Sequence, residues 1–311
     1  MLLYGTVLND RMIDRRLETL RVLRERGTVT ATAEALHLTP STVSQQLRQL
    51  ARDLGVELLE AQGRRVRLTA AAHTALRHAD ALAAQWERAR ADLAAHRTGD
   101  AGRVRICSVS SALAALVAPA VARLREEHPG LEVRMSEKES GDAAHLLLSH
   151  RYDIAVVIPS AGAPAAGDAR FAVQTLLDEP QDLLVPTGHP LAGRGTLRLD
   201  EAAGEPWIGS PDRPDQHRLM LASCASAGFA PRIVHEANEW FAVSALVARG
   251  FGVGLVPRLA PLPPDDGVVR VPLRGEGVPS RRIIACVRRG GDRQPPIAHG
   301  LGALRAAARD R

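Results

Sequence analysis

Residues 28–50 read TVTATAEALHLTPSTVSQQLRQL and contain the start signals of two consecutive helices. A short helix over 31–36 follows Thr30, whose hydroxyl can cap free backbone N–H groups. Thr39 and Pro40 come next, and a capping residue before a proline is typical of a helix start, where the missing proline N–H costs nothing. The stretch therefore predicts two helices joined by a tight turn.

The second helix, expected from Pro40 to about Leu54, has two unlike faces. Val43, Leu47, Leu50 and Leu54 recur at helical spacing and face a core. The opposite face is polar and consists of Ser41, Thr42, Gln45, Arg48, Gln49 and Arg52. Amides and guanidinium groups read base edges in the major groove, while hydroxyls bind phosphates. An ordinary solvated face would carry Glu and Lys instead, so the pattern favours a DNA-reading helix-turn-helix.

The flanking segments extend this unit. Apolar residues from Ile13 to Leu23 recur at helical spacing, and Gly27 ends that first helix. Residues 58–68, LLEAQGRRVRL, form two β-prone runs about a turn at Gly63. This pattern predicts a hairpin wing whose arginines rest on the phosphate backbone; a solubilising loop is the alternative. We expect contacts with DNA from Thr30, Thr39, Ser41, Thr42, Ser44, Gln45, Arg48, Gln49, Arg52, Arg64, Arg65 and Arg67.

An alanine-rich stretch without Gly or Pro follows from residue 69 to about 97, and it predicts one long helix. Its large apolar side chains, Leu76, Leu82, Trp86 and Leu93, are expected on one stripe of that helix. The sequence TGDAG at 98–102 then breaks it, which marks a domain boundary.

Beyond Gly102 short β-rich runs alternate with helical stretches. Strands over 104–109, 131–135 and 154–158 are separated by helices over 112–127 and 143–150, the pattern of a parallel sheet. A second set has strands at 171–177, 182–185, 207–208, 233–235 and 253–256, helices at 215–227 and 239–249, and later strands at 268–271 and 283–287. The predicted domains are 1–68, 69–99 and 100–311, with lobe I over 103–160 and 263–311 and lobe II over 161–262.

In a two-lobed α/β domain, ligands bind between the lobes at the carboxyl ends of strands, where loops and helix starts present N–H groups. This rule selects Ser108, Ser110, Ser111, Glu139, Ser140, Ser160, Gly209, Ser210, Asn238 and Trp240 as candidate ligand contacts. Hydroxyls and amides favour a small polar metabolite, often one that carries a carboxylate. Glu139 and Glu239 would repel a simple anion and could meet an amine.

Composition agrees with a globular protein of 311 residues. The net charge is +5, and residues 11–68 hold 11 arginines against 7 acids, so most of the surplus lies in the predicted DNA-binding unit. Without a membrane-length apolar run or a secretion signal, we expect a cytoplasmic protein, and Met12 is an alternative start. The 3 cysteines lie in apolar surroundings and are expected to be buried, reduced thiols.

Enzyme signatures are missing from the sequence. The glycine-rich residues 250–254, GFGVG, follow a helix and precede a strand, the reverse of the dinucleotide-binding order. Histidine pairs five residues apart do not share a helix face for a metal. We therefore expect no enzyme, no metal and no cofactor apart from a small-molecule effector.

Taken together, the segments resemble the LysR-type transcriptional regulators. The resemblance covers 28–50, LGVELL at 54–59, GRRVRLT at 63–69, HPLA at 189–192, EPWI at 205–208 and LVARGFGVGLVP at 246–257. Ala51, Ala61 and Ala72 depart from the residues usual in that family. The resemblance implies a mainly α winged helix-turn-helix, a linker helix that dimerises, and a two-lobed effector domain like periplasmic solute-binding proteins.

The function implied is a DNA-binding regulator that binds a palindromic operator as a homodimer or homotetramer. Leu76, Leu82, Trp86 and Leu93 would pair the linker helices. The expected partners are double-stranded DNA, a second copy of the chain and a small polar metabolite, with RNA polymerase as a further candidate and no membrane. A two-lobed solute-binding protein is the alternative, and the attached DNA-reading module argues against it.

Overall fold

The computed structural model describes residues 14–62, 65–95, 102–264, 267–275 and 277–311. Its N-terminal unit contains three helices and a hairpin: α1 (Arg15–Arg26), α2 (Val29–Leu36), α3 (Pro40–Leu54), β1 (Leu59–Gln62) and β2 (Arg65–Leu68). The two strands pair antiparallel, as the predicted wing requires. Leucines such as Leu20, Leu23, Leu47 and Leu50 form one core beneath the helices.

The helix starts and stops follow capping chemistry, with one correction. Thr39 caps α3 by accepting a hydrogen bond from the Thr42 N–H, and Gly27 ends α1 in a left-handed conformation with φ 74°. The cap of α2 is Thr28, whose side chain accepts from the Ala31 N–H, so the expected cap at Thr30 is wrong. Both threonines fit the cap preference, and only the backbone conformation separates them.

The linker helix α4 (Ala70–Ala95) confirms the long alanine-rich helix; its expected last residues, 96 and 97, lie outside the described part of the chain. The expected single stripe is wrong at Leu76, which is fully buried in the N-terminal core. Each residue of an α-helix rotates the chain by about 100°, so Leu82, six residues after Leu76, points away from it. Leu82 and Leu93 lie on the same side of the helix. These two leucines are 62% and 64% exposed.

The first lobe confirms the parallel arrangement. β3 (Gly102–Ser108) lies between β4 (Leu131–Glu137) and β5 (Ile154–Val157), and both pairings are parallel. The helical connections are α5 (Ser110–Ala112), a π-turn (Leu113–Val117), α6 (Ala118–Glu127) and α7 (Ala143–Leu148). Apolar side chains from the sheet and the helices, including Ile106 and Leu124, form the core of this lobe.

A single strand, β6 (Phe171–Pro186), replaces the two strands predicted over 171–177 and 182–185. Its first part pairs with β11 (Ser280–Arg288), and its last part pairs with β9 (Gly254–Pro257) and β10 (Val268–Pro272). The polar residues between the two apolar runs looked like a loop. Glu179 and Gln181 are buried instead, because the strand crosses from one lobe to the other, whereas Asp178 is exposed.

The second lobe also contains a parallel pair, β7 (Pro206–Gly209) and β8 (Arg232–Glu236), with helices α8 (Pro214–Ser226) and α9 (Trp240–Ala248). The predicted lobe boundaries need correction on both sides. β10 pairs with the last part of β6 and belongs with this lobe, whereas residues 171–177 pair within lobe I.

The C-terminal helix α10 (Pro295–Arg309) was not predicted from the sequence. It packs on α6 and buries Leu304 in the core of lobe I. Among the helices that the structure describes, none is long and apolar enough to cross a membrane.

Candidate DNA-reading surface and effector cleft

The start of α3 presents a cluster of hydroxyls. The Thr39 hydroxyl lies 2.8 Å from the hydroxyl of Ser41 and 2.8 Å from that of Thr42. Thr30 is exposed in the first turn of α2. Helix N-termini bearing such groups favour anions, because the backbone N–H groups and the helix dipole point towards them.

The middle of α3 presents two long polar side chains. Gln45 and Arg48 are exposed, and neither side chain has a hydrogen-bond partner within the part of the chain that the structure describes. Ser44 lies between them in sequence and is half-buried. Both long side chains are therefore available to an external partner.

The end of α3 is different, because its polar side chains are engaged with one another. Gln49 Nε2 donates to Asp53 Oδ1 at 2.7 Å, and the Arg52 guanidinium donates to Gln49 Oε1. Arg16 of α1 donates to Asp53 Oδ2 at 2.5 Å. The hydrogen bonds from Arg16 and Gln49 lower the pKa of Asp53, which remains a carboxylate. Gln49 and Arg52 would have to exchange these contacts to reach DNA.

The wing brings Arg67 opposite Glu60 across the hairpin. Arg67 Nε lies 3.6 Å from Glu60 Oε1, and the two side chains are 68% and 51% exposed. An exposed pair of this kind is weak and leaves the guanidinium free to exchange partners. Arg65 is in β2 and pairs by backbone register with Gln62, and Arg64 lies outside the described residues.

Between the lobes lies a cavity of about 890 Å³. Five of the ten predicted contacts line it: Ser111, Glu139, Ser140, Ser160 and Trp240. The remaining five, Ser108, Ser110, Gly209, Ser210 and Asn238, lie outside its lining. Ser108 and Ser210 bond to backbone carbonyls, and Asn238 donates to the carboxylate of Asp212, which does line the cavity.

Sequence reasoning missed the buried charge at this cavity, Arg281. Its Nε donates to Glu179 Oε2 at 2.6 Å, and its Nη2 donates to Ser111 Oγ at 2.6 Å. Glu179 also accepts from the Leu259 N–H at 2.8 Å. Burial lowers the pKa of Arg281, and the nearby Glu179 carboxylate opposes that shift. Glu179 and Arg281 lie 102 residues apart, so no local spacing could have revealed the pair.

Three polar atoms of cavity-lining residues are buried without a partner in the described chain: Ser160 Oγ, Gln216 Oε1 and Trp240 Nε1. The Gln216 amide nitrogen is already used, since it donates to Gln181 Oε1 and to the Leu255 carbonyl. The Arg213 guanidinium lies 5.4 Å from the centre of the Trp240 ring. Buried polar atoms left unpaired are costly, so this wall is suited to a polar ligand.

A helix-turn-helix with a hairpin, a long linker helix and a two-lobed domain with a cavity between its lobes define a ligand-responsive DNA-binding protein. Comparison with known families specifies the class. The profile of the bacterial regulatory helix-turn-helix protein, lysR family, matches residues 15–73, and that of the LysR substrate binding domain matches residues 97–309.

Individual proteins agree with this match. The chain is 30% identical over 247 residues to the HTH-type transcriptional regulator TtuA of Agrobacterium vitis, covering 79% of this chain and 80% of TtuA. A mutant of OxyR from Corynebacterium glutamicum superposes with a TM-score of 0.59 at 23% identity, over 95% of this chain and 91% of that one. Full-length CbnR complexed with its target DNA superposes with a TM-score of 0.55 at 22% identity, over 94% of this chain and 99% of that one.

The chain belongs to the LysR family. It is a DNA-binding transcriptional regulator with an effector-binding domain, which confirms the expected fold and function and supports them over the solute-binding alternative.

Proposed function

We propose that two copies of the chain bind one roughly palindromic operator, with α3 of each copy in the major groove of a half-site. The observation that carries this proposal is the exposed pair Gln45 and Arg48 in the middle of α3, which have no side-chain partner among the described residues. Gln pairs with adenine and Arg with guanine in the major groove. The hydroxyls of Thr39, Ser41 and Thr42 bind phosphate at the start of the helix, and Arg67 adds a backbone contact from the wing.

The linker helices pair through the exposed leucines. Leu82 and Leu93 lie on one side of α4 and would be covered in a dimer, which removes apolar surface from water. Trp86 is half-buried and lines a second cavity of the chain, so it contributes only in part. A twofold dimer presents two recognition helices, and an association of two dimers would give the tetramer.

The effector is a small polar metabolite that carries a carboxylate and binds between the lobes. Arg281 supports this assignment because its guanidinium lines the cavity and uses only Nε, on Glu179, and Nη2, on Ser111, among the described residues, which leaves Nη1 to donate to a ligand oxygen. Ser160 and Trp240 add donors on the same wall that have no partner within the described segments. Binding would change the populations of dimer or tetramer arrangements that space the recognition helices differently.

This role requires no catalytic step. It requires residence in the cytoplasm with the DNA, and contact with RNA polymerase at the regulated promoter.

Selection of binding sites from random DNA by the full-length protein tests the proposal. We expect enrichment of two similar half-sites related by a dyad. Enrichment of a single unpaired site, or of no sequence at all, would overturn it. Thermal-shift screening of the metabolites handled by the products of the regulated genes would then identify the effector. Ser160→Ala, in the cavity between the lobes, should show a smaller thermal shift with that effector than the wild type.

A further inference from the structure

A second cavity, of about 560 Å³, lies between the DNA-binding unit, the linker helix and lobe I. Its wall takes Arg15 and Arg21 from α1, Asp80 from α4, and Arg151 and Arg289 from the effector domain. It shares no lining residue with the cavity between the lobes. A volume of this size can hold a small metabolite.

The carboxylates of this wall are already committed to arginines. Arg21 donates to Glu18 at 2.8 Å and to Asp80 at 2.7 Å. Arg288 donates to Glu87 at 2.6 Å. Asp14 is likewise paired with Arg16. Their negative charge is therefore largely neutralised before any ligand arrives.

Several arginines of the same wall have no carboxylate partner in the described chain. Arg15 and Arg151 make no side-chain hydrogen bond or ion pair there, and Arg289 donates only to the carbonyl of Ala169, at 3.3 Å. The wall consequently has a surplus of positive charge. Guanidinium groups bind phosphate and carboxylate oxygens with two parallel hydrogen bonds, so the surplus suits an anion.

Buried polar atoms without partners add a second, independent observation. Arg21 is only 7% exposed, yet its Nε has no acceptor within the described residues, and His145 Nδ1 is also buried without a partner. Glu18 Oε1 is a buried acceptor without a donor. A ligand that offers oxygen acceptors together with one hydroxyl would satisfy all three atoms.

We propose that this cavity is a second ligand site, which binds a small multivalent anion of the phosphate or hydroxy-polycarboxylate kind. Its wall comes from both the DNA-binding unit and the effector domain, and the ion pair between Glu25 and Arg170, at 2.7 Å, spans the same gap. An anion bound there holds the two units together. By linkage, it also changes the affinity for DNA, independently of the ligand between the lobes.

Calorimetric titration of the full-length protein with pyrophosphate, and separately with citrate, tests this site at constant ionic strength. We expect at least one anion to bind, and Arg151→Gln to weaken that binding about tenfold or more. Arg125→Gln, at an exposed arginine of α6 outside the wall, is the matched control and should bind as the wild type does.

The two anions separate the sources of the ligand, since binding of only one assigns the site to phosphates or to polycarboxylates. Binding of neither anion would overturn the proposal, as would equal binding by wild type and Arg151→Gln. If Ser160→Ala lost anion binding and Arg151→Gln retained it, the proposal would also be overturned, because the anion would then bind in the cavity between the lobes. Operator binding is measured separately, without added anion. A failure of the second ligand site can therefore be distinguished from a failure of the proposed DNA-binding function.

Discussion

The Glu87 carboxylate of the linker helix accepts a 2.6 Å hydrogen bond from Nε of Arg288, which is the last residue of β11. Both side chains are buried, with exposures of 3% and 7%. Arg288 also donates to the carbonyls of Leu147 and Tyr152 and lies 3.2 Å from Asp153. The linker helix is thus fastened to lobe I by a buried charge pair, rather than by apolar packing alone.

Replacing Glu87 by Gln should lower the stability of the native protein. Arg288 would be left buried with only part of its charge balanced, and breaking a buried pair costs about 3–5 kcal/mol. Because Asp153 remains beside Arg288, we expect the lower end of that range. Urea unfolding of the full-length protein measures the change, with Glu126→Gln, an exposed carboxylate of α6, as the control. If Glu87→Gln unfolded with the same urea midpoint as the wild type, this account would be contradicted.

Asp153 should make stability depend on pH in the acid range. Burial raises its pKa, but the hydrogen bonds from Arg105 and the charge of Arg288 outweigh burial, so the pKa lies below the ordinary 3.8. The native state therefore binds fewer protons than the unfolded state, and the stabilisation is complete above pH 3.8 and lost as the pH falls through the lowered pKa.

Asp153→Asn tests this dependence. Its destabilisation relative to the wild type should be largest near neutral pH and should shrink as the pH drops below about 4. Denaturant unfolding at a series of pH values gives the difference. A destabilisation that stays constant across that range would mean that ionisation of Asp153 contributes nothing.

Glutamate at both Leu82 and Leu93 should dissociate the dimer without unfolding the chain. The two side chains are exposed in the single chain, so charges there are tolerated in a monomer and are buried only in the pair. Sedimentation velocity measures the oligomeric state, and circular dichroism checks the fold. Leu76→Glu is the contrasting variant, because a charge in the N-terminal core should unfold that unit. A double variant that remains dimeric would place the dimer contact elsewhere.

The cysteines should be unreactive in the native protein. Burial raises the pKa of Cys107 to about 12, that of Cys224 to about 11 and that of Cys286 to about 12. The thiolate is the reactive form, so alkylation by iodoacetamide near pH 8 should be slow until the chain is unfolded in urea. Mass spectrometry counts the modified thiols, and rapid modification of the folded protein would refute the expectation.

Local signals explain which parts of the fold were predictable. Thr39–Pro40, the apolar spacing of Val43, Leu47 and Leu50, and the runs of β3, β4 and β5 are features of neighbouring residues, and all of them appear in the structure. Leu54 was also expected to face the core, and that expectation is wrong, because Leu54 lies in the last turn of α3 and is 48% exposed. The strand β6 was not predictable as one element because its polar centre resembles a loop. Its centre is extended only because lobe I and lobe II both hydrogen-bond to the same strand.

The effector cleft shows the same limit more strongly. Ser111 and Trp240 could be placed from the rule that ligands bind at strand ends, and both line the cavity. Arg281 could not be placed in this way, because it lies inside a strand. Only its contacts with Glu179 and Ser111, which come from distant segments, hold it at the cavity. Leu76 was grouped with Leu82 and Leu93 because it is apolar, but at about 100° per residue it lies on another side of α4 and packs in the N-terminal core.

The central claim, that α3 reads DNA through its free polar side chains, is tested most directly by the affinity of Arg48→Ala for the selected operator. Fluorescence anisotropy at fixed salt compares it with the wild type and with Arg305→Ala, an exposed arginine of α10. We expect Arg48→Ala to lose about 1–3 kcal/mol on the selected operator and little on scrambled DNA. Arg305→Ala should match the wild type on both. Unchanged affinity of Arg48→Ala for the operator, or an equal loss on both DNAs, would contradict the account.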